Sequence, residues 1–287
     1  MQNNDKNKIK IGFIGQGWIG KSYADDFENR GYQVLRYALE EPYNKNKEKI
    51  KTCDITFMAV PTPTTPKGFD DSIVRKLVKL IAPGKTVVIK STILPGTTQS
   101  IQAENPEIFI MHSPEFLIAA SAEYDAANPK RNIIGIPKDS DEFKEKASAV
   151  MQVLPRAPFE SICQVKEAEL IKYFGNFFLY LKVIYANIIY DLTDKLDCDW
   201  DIVRDSVSAD PRIGKSHLDP VHDSGRGAGG FCFIKDFSAL YKFYQKNVSE
   251  DKAGINFLKS IEEKNINLLL NSKKDLDLLK GVYGDIK

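Results

Sequence analysis

Cysteine is scarce in this chain of 287 residues: Cys53, Cys163, Cys198 and Cys232 are widely scattered and form no C-x-x-C pair. That spacing argues against a structural zinc site. Long apolar runs are missing too. None approaches the roughly 18 residues that span a bilayer, and the opening MQNNDKNKIK is polar rather than a secretory leader. Neither sign of charge dominates. Lys and Arg number 40 against 39 Asp and Glu, a net charge of +1, so no field draws the chain to nucleic acid or to an anionic membrane. Internal repeats and low-complexity segments are also absent. These absences predict a cytoplasmic protein with reduced thiols, no metal, and no nucleic-acid or membrane partner. What is present is ordinary globular composition, 43% hydrophobic and 28% charged, in a chain long enough for two domains.

The N-terminal half reads as α/β. Residues 8–14, KIKIGFI, form a short apolar strand, and Gly15-Gln16-Gly17-Trp18-Ile19-Gly20 follows at once. Residues 21–30 carry a helical pattern that Gly31 ends, and a second strand runs over Gln33–Leu39. Strand, G-x-G-x-x-G, helix, strand is the context a dinucleotide fingerprint requires, because the pyrophosphate must approach the helix N-terminus closely. Further strands are expected at Asp54–Val60, Thr86–Lys90, Glu107–Met111 and Asn132–Ile136. They run into loops containing Val60-Pro61-Thr62, Ser91-Thr92 and Ser113–Leu117. Loops at strand C-terminal ends line the crevice of a doubly wound parallel sheet, so these are candidate site walls. Ala38 stands where an acid usually holds the ribose, with Glu40 and Glu41 just beyond. Arg36 is close, which leaves NADP open beside the preferred NAD.

The C-terminal half reads as helical. Residues 166–197 lack proline and are apolar on most sides, which implies burial on more than one side and a second subunit as one candidate cover. Lys172 and Asn176, spaced i, i+4, share a face. Such polar groups on a buried helix need ligands or each other. Shorter helices are expected around Asp201–Ala209, Phe237–Gln245 and Ala253 to about Leu279, ending in a charge-rich, solvated tail. In GRGAGGFCFIKD, residues 225–236, Cys232 follows a glycine turn and precedes Lys235 and Asp236. A thiol becomes nucleophilic where nearby positive charge stabilises its thiolate. A dinucleotide turn plus such a thiol points to oxidation through a covalent thioester.

Seven segments, GFIGQGWIG, AVPTPT, KSTILPGTT, SPEFL, EAELIKYFGN, DPRIG and GGFCFIKD, together resemble the nucleotide-sugar 6-dehydrogenases of the UDP-glucose/GDP-mannose dehydrogenase family, in the family's order. The resemblance implies a Rossmann-type domain over 1–160 and a helical dimerisation domain over 161–287. The implied reaction oxidises a sugar C6 alcohol, of UDP-glucose first, to the carboxylate with two NAD. It implies Cys232 as nucleophile, Lys172 stabilising the oxyanion or taking a proton, Asn176 and Asp236 around a relaying water, and Glu115 with Thr92 in thioester hydrolysis. Cofactor contacts would come from residues 15–20, Val60, Pro61, Thr62, Ser91, Thr92 and Lys235. Sugar contacts would come from Glu115, Phe116, Leu117, Lys172, Asn176, Gly229 and Arg212, the last from the same or the neighbouring subunit of a homodimer.

The chain departs from the family's pattern at Ala38 and at Ala119, where the family has a glutamate. It also has no GLxFKxxTxDxRxS-like segment of the family's third, nucleotide-covering domain, so a separate chain supplying that domain is a candidate partner. Two other readings stay open: a two-domain 3-hydroxyacid dehydrogenase, and a non-catalytic binding or assembly protein derived from this family.

Overall fold

The structure is a computed structural model and describes residues 9–223 and 225–285; Lys8 of the first strand reading and the end of the tail lie outside these. The described chain forms two compact units, one of residues up to Thr62 with Asp70–Lys172, the other of Pro63–Phe69 with residues from Tyr173 on.

The first unit runs β1 (Lys10–Ile14), α1 (Trp18–Asn29), β2 (Gln33–Tyr37), β3 (Ile55–Met58), α2 (Ser72–Val78), β4 (Thr86–Ile89), α3 (Thr97–Glu104), β5 (Phe109–His112), α4 (Ala122–Ala127), β6 (Arg131–Ile136), α5 (Asp141–Val153) and β7 (Phe159–Gln164). Its sheet has the order β2-β1-β3-β4-β5-β6-β7. The first five strands are parallel, as the Rossmann-type reading expects. The sheet is nevertheless mixed rather than wholly parallel: β6 opposes β5, and β7 runs parallel to β6. Between β5 and β6 the only α-helix is α4, about 9 Å long at 1.5 Å per residue. β3 and β4 sit centrally and every residue of each is buried, which is why their sequences are continuous apolar runs. β7 is an edge strand, FESICQ, exposed or half-buried throughout; without an apolar run it gave no signal in the sequence. Phe13, Phe27 and Phe57 meet at 5.2–5.4 Å between ring centres in the core under β1 and β3.

α6 (Val165–Lys195) crosses the division between the units. The second unit continues with α7 (Trp200–Ser208), α8 (Gly230–Asn247), α9 (Lys252–Ser272) and α10 (Leu276–Tyr283). Its core gathers Tyr180, Ile184, Phe237, Leu258, Ile261 and Leu268, with Tyr180 stacked on Phe237 at 4.2 Å. Three expectations need correction. α8 begins at Gly230, not Phe237, so Cys232 lies in its first turn. The last helix is two, parted at Lys273–Asp275, where Lys273 (φ 56°) and Asp275 (φ 53°) take the left-handed conformation. The tail is not merely solvated: Lys274, Leu279 and Val282 are buried.

Candidate active site

In the first unit the strand order turns about β1, with β2 on one side and β3 on the other. This switch point is where open α/β sheets bind ligands. The Gly15–Gly20 turn leaves β1 there. A Cβ on Gly15 would lie 2.1 Å from the Ala59 carbonyl oxygen, and one on Gly20 would lie 2.0 Å from that of Gly15, whereas Gly17 has no atom within 4 Å of that place. The outer glycines let backbone meet backbone; the middle one keeps the approach to α1 open. Gly17 is the N-cap of α1, and no side chain caps that end, so its first-turn N–H groups and dipole suit a pyrophosphate. Trp18 is half exposed at the helix start, and Gln16 Nε2 donates to the Gly15 carbonyl at 3.0 Å. Arg36 is held by Asp25 at 2.6 Å and Glu28 at 2.6 Å. With its charge matched, Arg36 is a poor partner for a 2′-phosphate, which favours NAD over NADP. These residues fit NAD, although Ala38 brings no acid to the ribose.

The neighbouring loops are tied together. Ser91 Oγ accepts from Val60 N at 2.9 Å and donates to Val60 O at 2.7 Å, and Thr62 Oγ1 donates to the Thr92 carbonyl at 2.7 Å. The hydroxyls of Ser91 and Thr62 therefore brace these loops. Pro61 is exposed and Thr92 buried beside them.

Glu115 and Lys172 form a buried pair, 3% and 8% exposed, with Nζ 2.7 Å from Oε1; Glu115 Oε2 accepts from Leu117 N at 2.9 Å. Breaking such a pair strands a buried charge, so each side chain holds the other in place. The Phe116 ring lies 5.9 Å from Lys172 Nζ and 3.7 Å from the Arg131 guanidinium. Below them Lys90 Nζ donates to the Ser113 carbonyl and hydroxyl, both at 3.3 Å, and sits 4.3 Å from the centre of the Tyr23 ring. Burial pushes the Lys90 amine down to about 8. His112 is pushed down to about 3, by burial first and then by the charges of Lys90 and Lys172, so its ring is neutral throughout the physiological range.

In the second unit Cys232, Lys235 and Asp236 stand at i, i+3 and i+4 on α8, one face of the helix. Asp236 is buried. Its Oδ1 is paired with Lys235 Nζ, and its Oδ2 accepts from Asn176 Nδ2 at 2.7 Å. Lys172 and Asn176 thus partner different carboxylates instead of each other. None of the four cysteines is in a disulfide. Burial pushes the thiols of Cys53 and Cys163 up to about 11, which disqualifies both as nucleophiles. Arg212 is 88% exposed and closes on Asp210 at 2.6 Å. Gly229 is the α8 N-cap. The expected site residues therefore form two constellations, one in each unit.

The UDP-glucose/GDP-mannose dehydrogenase family's NAD binding domain matches residues 40–154 and its central domain matches residues 166–267. The chain belongs to the UDP-glucose/GDP-mannose dehydrogenase family. It is 33% identical over 267 residues to the UDP-glucose 6-dehydrogenase YwqF of Bacillus subtilis, covering 87% of this chain and 56% of that one. It is 30% identical over 275 residues to the UDP-glucose 6-dehydrogenase of Rickettsia prowazekii, covering 91% and 60%. Among solved structures it is similar to a UDP-glucose dehydrogenase from the archaeon Pyrobaculum islandicum, with 26% identity, a TM-score of 0.78, and 90% of this chain and 68% of that one covered. The chain spans about three fifths of the length of the curated relatives it matches.

Sequence reasoning missed residues that hold the first unit's constellation in place. Glu169, wholly buried on α6, accepts from Gly96 N at 2.6 Å and Thr98 N at 2.8 Å, capping α3 and tying Lys172's helix to the loop of Thr92. Burial, opposed by those bonds, leaves its carboxyl above the usual range. Lys90 and Arg131 were missed as well. The available signal was a charged residue inside an apolar run: Lys90 ends TVVIK and Glu169 precedes LIKYF.

Proposed function

We propose that this chain oxidises the C6 hydroxyl of a nucleotide sugar, UDP-glucose first, to the carboxylate in the cytoplasm, using two NAD and a thioester on Cys232. The observation that carries the reading is the network of Asn176, Asp236 and Lys235 on and against the helix that bears Cys232 in its first turn. NAD supplies the hydride acceptor for both oxidations, held by the Gly15–Gly20 turn with Val60, Pro61, Thr62, Ser91, Thr92 and Lys235.

Lys172, fixed by Glu115, stabilises the developing oxyanion or takes the hydroxyl proton. Asn176 and Asp236 hold the water that relays this proton. The Cys232 sulfur adds to the aldehyde carbon, forming a C–S bond; oxidation of that thiohemiacetal leaves a thioester. Glu115, with Thr92 positioning the water, assists hydrolysis, which breaks the C–S bond and returns the thiol. Phe116, Leu117, Gly229 and Arg212 contact the sugar nucleotide.

A second copy is the proposed partner. Phe174, Phe178, Tyr185, Ile188 and Leu192 form an exposed apolar stripe on α6 that Leu196 extends just past its end, each at least 47% accessible, at the i, i+3, i+4 spacing of one helix face. Such a stripe is large for a monomer surface. Light scattering is expected to give a dimer that Phe178→Glu with Leu192→Glu converts to a monomer; a monomeric wild type overturns the pairing.

The test of the reaction is reduced-nicotinamide absorbance with UDP-glucose and NAD. Two NAD are reduced per sugar, and Cys232→Ser lowers the rate by roughly three orders of magnitude. Full activity in the variant overturns the thioester route and favours a single oxidation. No reduction with any nucleotide sugar overturns the dehydrogenase reading.

A further inference from the structure

The glycine run before Cys232 lies against α9 and the turn that follows it, all inside the second unit. Side chains of that surface take its alternate backbone amides. Arg226 N donates to Ser272 Oγ at 3.0 Å, Ala228 N to Asn265 Oδ1 at 2.7 Å, and Gly230 N to Asp275 Oδ2 at 2.7 Å. Asn265 Nδ2 donates back to the Ala228 carbonyl at 3.0 Å, and Lys274 Nζ donates to the carbonyls of His222 at 2.7 Å and Gly227 at 3.3 Å.

Gly230 opens α8, whose N-cap Gly229 has no side chain with which to cap it. Asp275, 45 residues further on, supplies that cap. The fit is close: a Cβ on Gly229 would lie 2.0 Å from Asp275 Oδ2 and 2.8 Å from Lys274 Cε. Asp275 is held at φ 53°, as Lys273 is at φ 56°. Non-glycine residues keep that conformation only where their surroundings impose it. The bonds from Lys274 and Asp275 into the glycine run are the surroundings that do so here.

We propose that Asp275 is a positioning residue for Cys232. It fixes the first turn of α8 two residues before the thiol and sets the charge at that helix end. The functional weight of this rests on the reading of Cys232 as the nucleophile. Cys232 is the third residue of α8, within the turn where the helix dipole is positive. A carboxylate on the same turn orders it and offsets part of that field, trading some thiol reactivity for a defined thiol position.

Two variants separate these effects: Asp275→Asn keeps an acceptor and removes the charge, and Asp275→Ala removes both. The readouts are amide hydrogen exchange of residues 229–234 and the pH profile of Cys232 alkylation by iodoacetamide, with the site identified by peptide mass. In Asp275→Ala, exchange across 229–234 is expected to rise about fivefold, the worth of one helix cap, with exchange elsewhere unchanged. Asp275→Asn is expected to restore slow exchange while alkylating about two- to fivefold faster at pH 7, the effect of removing one charge from a helix end. Wild-type exchange and pH profile in both variants overturn the proposal, and so does a rise in exchange spread evenly over the chain. Neither readout needs a substrate. A chain that responds as expected but reduces no NAD loses the dehydrogenase reading and keeps this one; a chain that reduces NAD with both variants like wild type loses only Asp275's role.

Discussion

The turns Gly15–Gly20 and Gly225–Gly230 have similar glycine spacing, GQGWIG against GRGAGG, and each opens a helix with a glycine N-cap. Around the first, backbone meets backbone at the outer glycines and nothing lies within 4 Å of the middle one's missing Cβ. Around the second, Asn265, Ser272, Lys274 and Asp275 fill the same kind of space with side chains. α1 has no side-chain cap, whereas α8 is capped by Asp275 and α3 by Glu169, both carboxylates from distant segments. A helix end answered by the protein's own carboxylate is a structural joint. A helix end left to solvent behind an open glycine is where an anionic ligand fits.

Substituting the crowded glycine of each turn tests this division most severely. Gly20→Ala forces an atom to 2.0 Å from the Gly15 backbone carbonyl, costing about 1–3 kcal/mol of stability, whereas Gly229→Ala pushes aside the Asp275 and Lys274 side chains and costs about 1 kcal/mol through the lost cap. Gly20→Ala is expected to abolish measurable NAD binding in calorimetry, while Gly229→Ala leaves NAD affinity within about twofold and blocks thioester chemistry at Cys232. NAD binding lost equally in both variants breaks the comparison.

Glu169→Ala strands the N–H groups of half-buried Gly96 and buried Thr98 and is expected to cost about 1–3 kcal/mol, with faster hydrogen exchange confined to the first turn of α3. An unchanged denaturant midpoint overturns Glu169's role as a joint. Gly17→Ala is the finer probe. It meets no protein atom, so stability stays within about 0.5 kcal/mol, but NAD affinity falls about tenfold because the added methyl stands where the ligand approaches. Unchanged affinity removes the cradle.

The smallest effect is in pH. Because Glu169's carboxyl is raised in the fold, the native state holds a proton that the unfolded chain has released between pH 4.5 and the raised value. Its contribution is full below pH 4.5 and declines as pH rises through that window. Glu169→Gln is expected to flatten that part of the stability curve; an identical slope in the variant rules this out.

The first turn was legible because its signal is local: strand, three glycines and helix lie within twenty-odd residues, with periodicity to mark each. α6 was legible for the same reason, as a long segment rich in apolar residues and free of proline. Cys232, Lys235 and Asp236 were readable as a chemical cluster. Their position in the first turn of α8 was not, because a helix beginning with glycine carries no capping signal of its own. The break between α9 and α10 was hidden because Lys273 and Asp275 adopt a left-handed backbone without glycine.

By itself the sequence determined most element types, the two glycine turns and the family, and it named the candidate site residues. These follow from short-range spacing and residue chemistry, which act wherever the chain folds. Tertiary structure alone decided that β6 and β7 run against the other strands, that Lys172 pairs with Glu115 and Asn176 with Asp236, and that Asp275 caps the helix of Cys232. Each joins residues tens of positions apart, and only packing, which places a buried charge or an uncapped N–H beside one particular partner, selects among the many partners the sequence allows.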